Sequence, residues 1–103
     1  MLNGLADSFD WDAGNQQKCQ KHGVSIEEIE YLFEYTNLYT TMDTQHSHYE
    51  KRYIAIGKTW SGRDIFVGFT LRKVDSHTAI RPITARYMHQ KEVRRYGKEN
   101  PQL

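Results

Sequence analysis

Arg81 and Arg86, followed by Glu92 and Tyr96, are the side chains of this 103-residue chain best suited to work on an anion. A guanidinium is a planar, permanently charged fork that grips phosphate or carboxylate through two parallel hydrogen bonds. Two readings stand side by side: a phosphate clamp, or ion pairing, most naturally of Arg86 with Glu92. A separation of i, i+5 puts the two arginines on opposite faces of an uninterrupted strand, although Arg86 falls where strand passes into helix. Glu92 is then an orienter of arginine or a general base. Tyr96 is a proton handler or an aromatic that closes the core. His46 follows Asp43 by three residues, and an imidazole beside a carboxylate moves protons near neutral pH; the plainer reading is a hydrogen bond that orders the loop. Arg63, after Gly62, is a phosphate contact or a solvated charge. Lys91, Arg94, Arg95 and Lys98 crowd the last helix. They track a nucleic-acid backbone, receive an acidic partner or form a solvated face. Trp60, in a turn, stacks on a base or touches a partner.

His46 and His48 at i, i+2 invite a zinc reading. Beyond Asp43, nothing nearby completes a tetrahedron, so no metal and no cofactor is expected. Cys19 is the single cysteine and cannot form an internal disulfide. It reads as a small core residue. Neither it nor His22 has the base and orienter that a nucleophile needs.

Charge is unevenly spread. Residues 1–50 hold two lysines against nine acids, and residues 51–103 hold twelve Lys and Arg against four acids. That asymmetry suggests a basic face with an anionic partner, nucleic acid first; alternatively the halves neutralise each other across the fold. At this length a single domain, 1–103, with one core is expected. No apolar run approaches the ~20 residues that span a bilayer, and the first residues lack the basic and apolar regions of a secretory signal. A soluble, cytoplasmic protein without membrane contact is expected.

The elements that must position these residues follow from pattern. Residues 8–11 are extended, with Phe9 and Trp11 on one side. Asp12 caps a helix through about Lys21, with Gly23 as its stop and His22 in its last turn. Ser25 and Glu28 form a capping box, and Val24 with Ile29 a hydrophobic staple, ahead of the stripe Ile26, Ile29, Leu32, Phe33. The period then changes to two. Strands are expected at 38–42, 52–58, 65–71 (central, apolar on both faces) and 77–85. Turns fall at 59–63 and 73–76, and Pro82 lies at an edge or bulge. A helix over 86–96 follows, with Met88, Glu92 and Tyr96 aligned, Gly97 as its cap and Pro101 beyond. The sum is α+β in two layers: two N-terminal helices, a four-stranded antiparallel sheet and a C-terminal helix.

Four motifs in order resemble one family. They are Phe9-Asp10-Trp11-Asp12; Lys21-His22-Gly23-Val24-Ser25-Ile26-Glu27-Glu28; Asp43-Thr44-Gln45-His46-Ser47 with Arg52, Ile56-Gly57 and Gly62-Arg63 after it; and Arg81-Pro82-Ile83-Thr84-Ala85-Arg86 with Glu92 and Tyr96. Across residues 9 to 96 the chain resembles the BrnT family of type II toxins, in the RelE/ParE-like superfamily. The departures are Ala13 where proline is usual, Lys18 in place of asparagine, Pro82 and Thr84 in place of Ile and Ser, and Met88 in place of a small residue. The resemblance implies a RelE-like fold and a ribonuclease that halts translation. It also implies neutralisation by a co-encoded BrnA-like antitoxin, through which alone the complex meets operator DNA.

Metal-free RNA cleavage needs an acceptor for the 2′-hydroxyl proton, cations for the phosphorane and an acid for the leaving 5′-oxygen. On the resemblance, Arg81, Arg86, Glu92, Tyr96 and His46 are the catalytic candidates, with Arg86 held by Glu92 and Arg81 freer to reach phosphate. Arg63, Lys91, Arg94 and Arg95 are the RNA-binding candidates. The alternative is a catalytically weakened chain, altered at Pro82 and Lys18, that holds its antitoxin and acts mainly as co-repressor of its own operon.

Overall fold

In the computed structural model residues 2–99 are described, with side chains as far as Tyr96. The elements are β1 (Ser8–Phe9), α1 (Ala13–Gln20), α2 (Ile26–Tyr35), β2 (Tyr39–Met42), β3 (Tyr53–Lys58), β4 (Asp64–Val74), β5 (His77–Tyr87) and α3 (Gln90–Glu99). The α+β class is as expected.

Both N-terminal helices begin on reciprocal caps. Asn15 N–H donates to Asp12 Oδ1 at 3.0 Å, and Asp12 N–H donates to Asn15 Oδ1 at 2.7 Å. At α2, Glu28 N–H donates to Ser25 Oγ and Ser25 N–H to Glu28 Oε1, both at 3.1 Å. Each box satisfies donors that a helix start leaves open. The staple residues Val24 and Ile29 are buried, as are Leu32 and Phe33. α1 buries only Asn15 and Cys19, so it is held by docking on β5 rather than by its own sequence. It stops before His22, which lies exposed in the following turn, not in the last helical turn. Gly23 takes φ +93° there, which a side chain resists.

The sheet has five strands rather than four, in the order β1-β5-β4-β3-β2. β2 to β5 form the expected antiparallel meander with β4 central. The fifth strand, β1, pairs parallel to β5 through Ser8–Ala79 and Phe9–Ile80, and two residues are too few to leave an alternation. One sheet face carries Ile65, Val67, Phe69, Ile80 and Ala85, all buried, against α1 and α2. Phe33 of α2 meets Phe69 edge-on at 5.1 Å and Phe9 at 5.9 Å. Each such side chain contributes about 1.5–3 kcal/mol on burial.

Pro82 sits at a bulge inside β5, not at an edge. Gly68 pairs with Thr84 but Phe69 pairs with Pro82, so Ile83 is the extra residue. A proline is tolerated there because it has no N–H to give to a ladder.

The C-terminal element differs from expectation. Arg86 and Tyr87 remain in β5, opposite Phe66 and Ile65, and Met88 N–H extends the pairing to the Asp64 carbonyl at 2.9 Å. Cross-strand pairing outweighs the helical pattern of 86–89, and α3 begins only at Gln90. Met88 therefore does not share a helical face with Glu92 and Tyr96. Gly97 lies within the helix instead of capping it, and Pro101 and the Lys98 side chain lie outside the described residues. α3 covers part of the sheet face opposite α1 and α2, where the Tyr96 ring lies 6.1 Å from that of Tyr39. Helices therefore stand on both faces of the sheet, which is not a plain two-layer arrangement.

Candidate functional site

Register defines the face that α1 and α2 leave open. Directly opposed residues of an antiparallel pair point the same way, so Tyr39, Ile56, Phe66 and Arg86 form one row across the sheet. Thr41, Ile54, Gly68 and Thr84 form the next row, and Thr70 and Arg81 lie beyond it. Arg81 and Arg86 thus share a face. The expectation of opposite faces holds for a regular strand, and the bulged Ile83 reverses it. Four residues of β4 separate the two rows, about 13 Å at ~3.3 Å per residue.

Arg86 is held by Glu92. Its two terminal nitrogens donate to the two carboxylate oxygens at 2.8 and 2.9 Å. Its guanidinium carbon lies 4.5 Å from the centre of the Phe66 ring, a cation–π arrangement. Glu92 is the third residue of α3, and it also accepts the His89 N–H at 3.2 Å. The Arg86 hydrogen bonds, helped by that backbone donor, pull its carboxyl down to about 2. Reciprocally, the Glu92 carboxylate raises Arg86 further, and Tyr96 acts in the same direction. Arg86, Glu92 and Tyr96 are thereby brought together, with Tyr39 beside them.

Arg81 is not the freer arginine. Its side chain is 18% exposed against 38% for Arg86, and two carboxylates hold it: Asp12 at 2.8 Å and Asp10 at 3.4 Å. Asp12 is lowered by the Asn15 backbone N–H first and by Arg81 second. Sequence reasoning missed these partners. The signal was present, because Asp10 and Asp12 alternate with Phe9 and Trp11, and the two aromatics stack on the core side at 6.5 Å.

His46 is not in the Arg86 group. Its Nδ1 lies 2.8 Å from Asp43 Oδ2, in the loop that leaves β2 where Met42 faces Tyr53. That is three residues from the Tyr39 row, about 10 Å. Arg63 is exposed, and its guanidinium carbon lies 3.5 Å from the centre of the Tyr87 ring. The Tyr87 hydroxyl donates to Glu28 Oε1 at 2.8 Å, and this bond, with burial second, raises the phenol. Tyr87 faces the core side, so Arg63 and Arg86 flank the same end of the β4–β5 pair from opposite faces. On α3, Lys91, Arg94 and Arg95 are exposed while Glu92, Val93 and Tyr96 are half-buried, a basic outer stripe on an amphipathic helix. Cys19 is fully buried, and burial pushes its thiol up to about 11, which leaves it unreactive.

Among the described residues no three His, Cys, Asp or Glu side chains cluster as metal ligands would, and no helix is long and apolar enough to cross a membrane. No curated protein matches the chain. The family model described as "Ribonuclease toxin, BrnT, of type II toxin-antitoxin system" matches residues 11–92. That span runs from Trp11, between the two carboxylates on Arg81, to Glu92 on Arg86. The chain therefore belongs to the BrnT family of ribonuclease toxins.

Proposed function

We propose that this chain cleaves RNA without a metal ion, at a centre on the open sheet face where Arg86 meets phosphate. The observation that carries the reading is the two-pronged Arg86–Glu92 pair beside Tyr96, in a chain of a ribonuclease-toxin family. RNA supplies its own nucleophile. The 2′-oxygen gives its proton to solvent water and bonds to the adjacent phosphorus, the bond from phosphorus to the 5′-oxygen breaks, and that oxygen takes a proton from the Tyr96 hydroxyl, which solvent then restores. A 2′,3′-cyclic phosphate and a 5′-hydroxyl result. Arg86 stabilises the charge gathered on the non-bridging oxygens. A carboxyl at about 2 is a weak base, so Glu92 orients Arg86 rather than taking the proton. Tyr96 protonates the leaving oxygen. His46, paired to Asp43, orders its loop.

Arg81, Arg63, Lys91, Arg94 and Arg95 bind the RNA backbone on either side of the cleaved phosphate. Loss of RNA arrests translation in the cytoplasm. A BrnA-like antitoxin covers the basic surface through an acidic segment that folds on binding, and operator DNA is met only through it. The single domain is RelE/ParE-like. Pro82 and Lys18 are the motives for a weakened co-repressor; Pro82 lies at a bulge that accommodates it and Lys18 is exposed on α1, and neither disturbs the Arg86–Glu92 pair, which favours the enzyme.

Expression of the chain alone is expected to arrest growth, and co-expression of the neighbouring gene to relieve the arrest and yield a copurified complex. A folded, antitoxin-free chain that leaves growth unaffected contradicts the proposal.

A further inference from the structure

Asn15 is an unusual residue to bury. It is 4% exposed in a short helix whose other polar side chains are half-buried or exposed. A buried amide must find partners for its donors and its acceptor, and this one does. Its Oδ1 accepts the Asp12 N–H at 2.7 Å, and its Nδ2 donates to the Asp10 carbonyl and to the Pro82 carbonyl, each at 2.9 Å. These three residues are the ones that place Arg81. Pro82 follows it in the chain at the bulge, and the side chains of Asp10 and Asp12 grip its guanidinium.

We propose that Asn15 is a positioning residue for RNA binding: it pins the β5 bulge to the start of α1 and so fixes Arg81 on the face that carries Arg86. This rests on the reading that Arg81 contacts an RNA phosphate. Two donors on one planar group are required. Aspartate has the same shape and can still cap α1, but it offers no hydrogen to either carbonyl and sets a negative charge against both. The bulge is then free to shift, and one residue of slip turns Arg81 to the other face. Because the Arg81 row lies about 13 Å from that of Arg86, the loss falls on substrate binding and not on the chemical step.

The test uses purified full-length toxin and a short RNA substrate. Asn15→Asp is expected to raise KM about tenfold, the scale of one phosphate contact, with kcat within about twofold. A merely structural role lowers the folded fraction, and with it the apparent kcat, and leaves KM in place. In an Arg81→Gln background Asn15→Asp is expected to change KM no further, since both substitutions then remove one interaction. Should Asn15→Asp fold poorly, Asn15→Ala, which removes both donors without adding a charge, is expected to raise KM with the same non-additivity. An unchanged KM in Asn15→Asp, or a rise of equal size with and without Arg81, overturns the proposal. An Arg81→Gln protein with normal KM instead sinks the reading of Arg81 on which it rests. The Arg81 Nε–Hε resonance separates these two failures, because it shifts in Asn15→Asp whenever Asn15 positions the guanidinium, whatever Arg81 binds.

Discussion

Arg81 and Arg86 stand five residues apart in β5 and project from the same face of the sheet, because Ile83 is bulged out between them. The bulge brings two arginines of opposite facing onto one face, as the proposed contact of both with RNA requires. Their surroundings divide the labour. Arg86 is gripped by one carboxylate on a helix that begins just beyond it. Arg81 is gripped by two carboxylates from the far edge of the sheet.

Removing the Arg86 charge is expected to remove transition-state stabilisation. Arg86→Gln should lower kcat by ~10² or more, as loss of one preorganised donor does. Glu92→Gln keeps the arginine but releases it, and a misplaced group of this kind costs ~10- to 100-fold. The pair is partly exposed, at 38% and 29%, so solvent screens it and either substitution should cost only about 1 kcal/mol of stability. Single-turnover cleavage and thermal melts of the same samples check both halves.

Acid should unlock α3. The Glu92 carboxyl titrates near 4.5 when unfolded and at about 2 when folded, so the unfolded state binds the proton first as pH falls. The stability contributed by the pair is fully present above pH 4.5 and is lost between there and pH 2. The stability difference between the native chain and Glu92→Gln, measured by denaturant titration, should therefore shrink through that window. A difference that stays constant down to pH 2 places the Glu92 interaction elsewhere.

Arg81→Gln is expected to act on binding. KM should rise about tenfold, and the slope of log affinity against log salt should flatten by about one unit, the mark of one lost phosphate contact. Fold stability should hold, because Asp10 and Asp12 are left at the protein surface. Affinity measured across a salt series reads this directly.

Tyr87→Phe should separate stability from activity. The substitution removes the hydrogen bond to buried Glu28 at a cost of about 1 kcal/mol, a drop of roughly 4–8 °C in Tm for a chain of this size. The ring remains for Arg63 to stack on, so cleavage at 25 °C should be unchanged.

The helix starts, the central strand and a break in pairing at Pro82 were legible in the sequence because each has a local cause: a capping box, an apolar run, a missing N–H; whether Pro82 stood at an edge or a bulge was not. The Arg86–Glu92 pair was legible from spacing and charge. What escaped depended on long-range register. β1 is two residues long and gains its partner 71 residues away. The facing of Arg81 turns on one bulged residue, and its carboxylates come from the segment that joins β1 to α1. The strand character of Arg86 and Tyr87 was hidden because their sequence suits a helix, and only pairing with Phe66 and Ile65 decides against it. Tyr87 on Glu28 joins residues 59 positions apart, for which no local pattern exists.

Whether Arg86 acts on RNA phosphate without a metal is read by incubating refolded, antitoxin-free toxin with RNA in EDTA, beside Arg86→Gln and a substrate with 2′-deoxy at the cleaved position. Native cleavage is expected to leave 2′,3′-cyclic phosphate ends, with ~10²-fold less from Arg86→Gln and none of the 2′-deoxy substrate. Cleavage that EDTA abolishes, or that Arg86→Gln retains in full, contradicts metal-free action by Arg86.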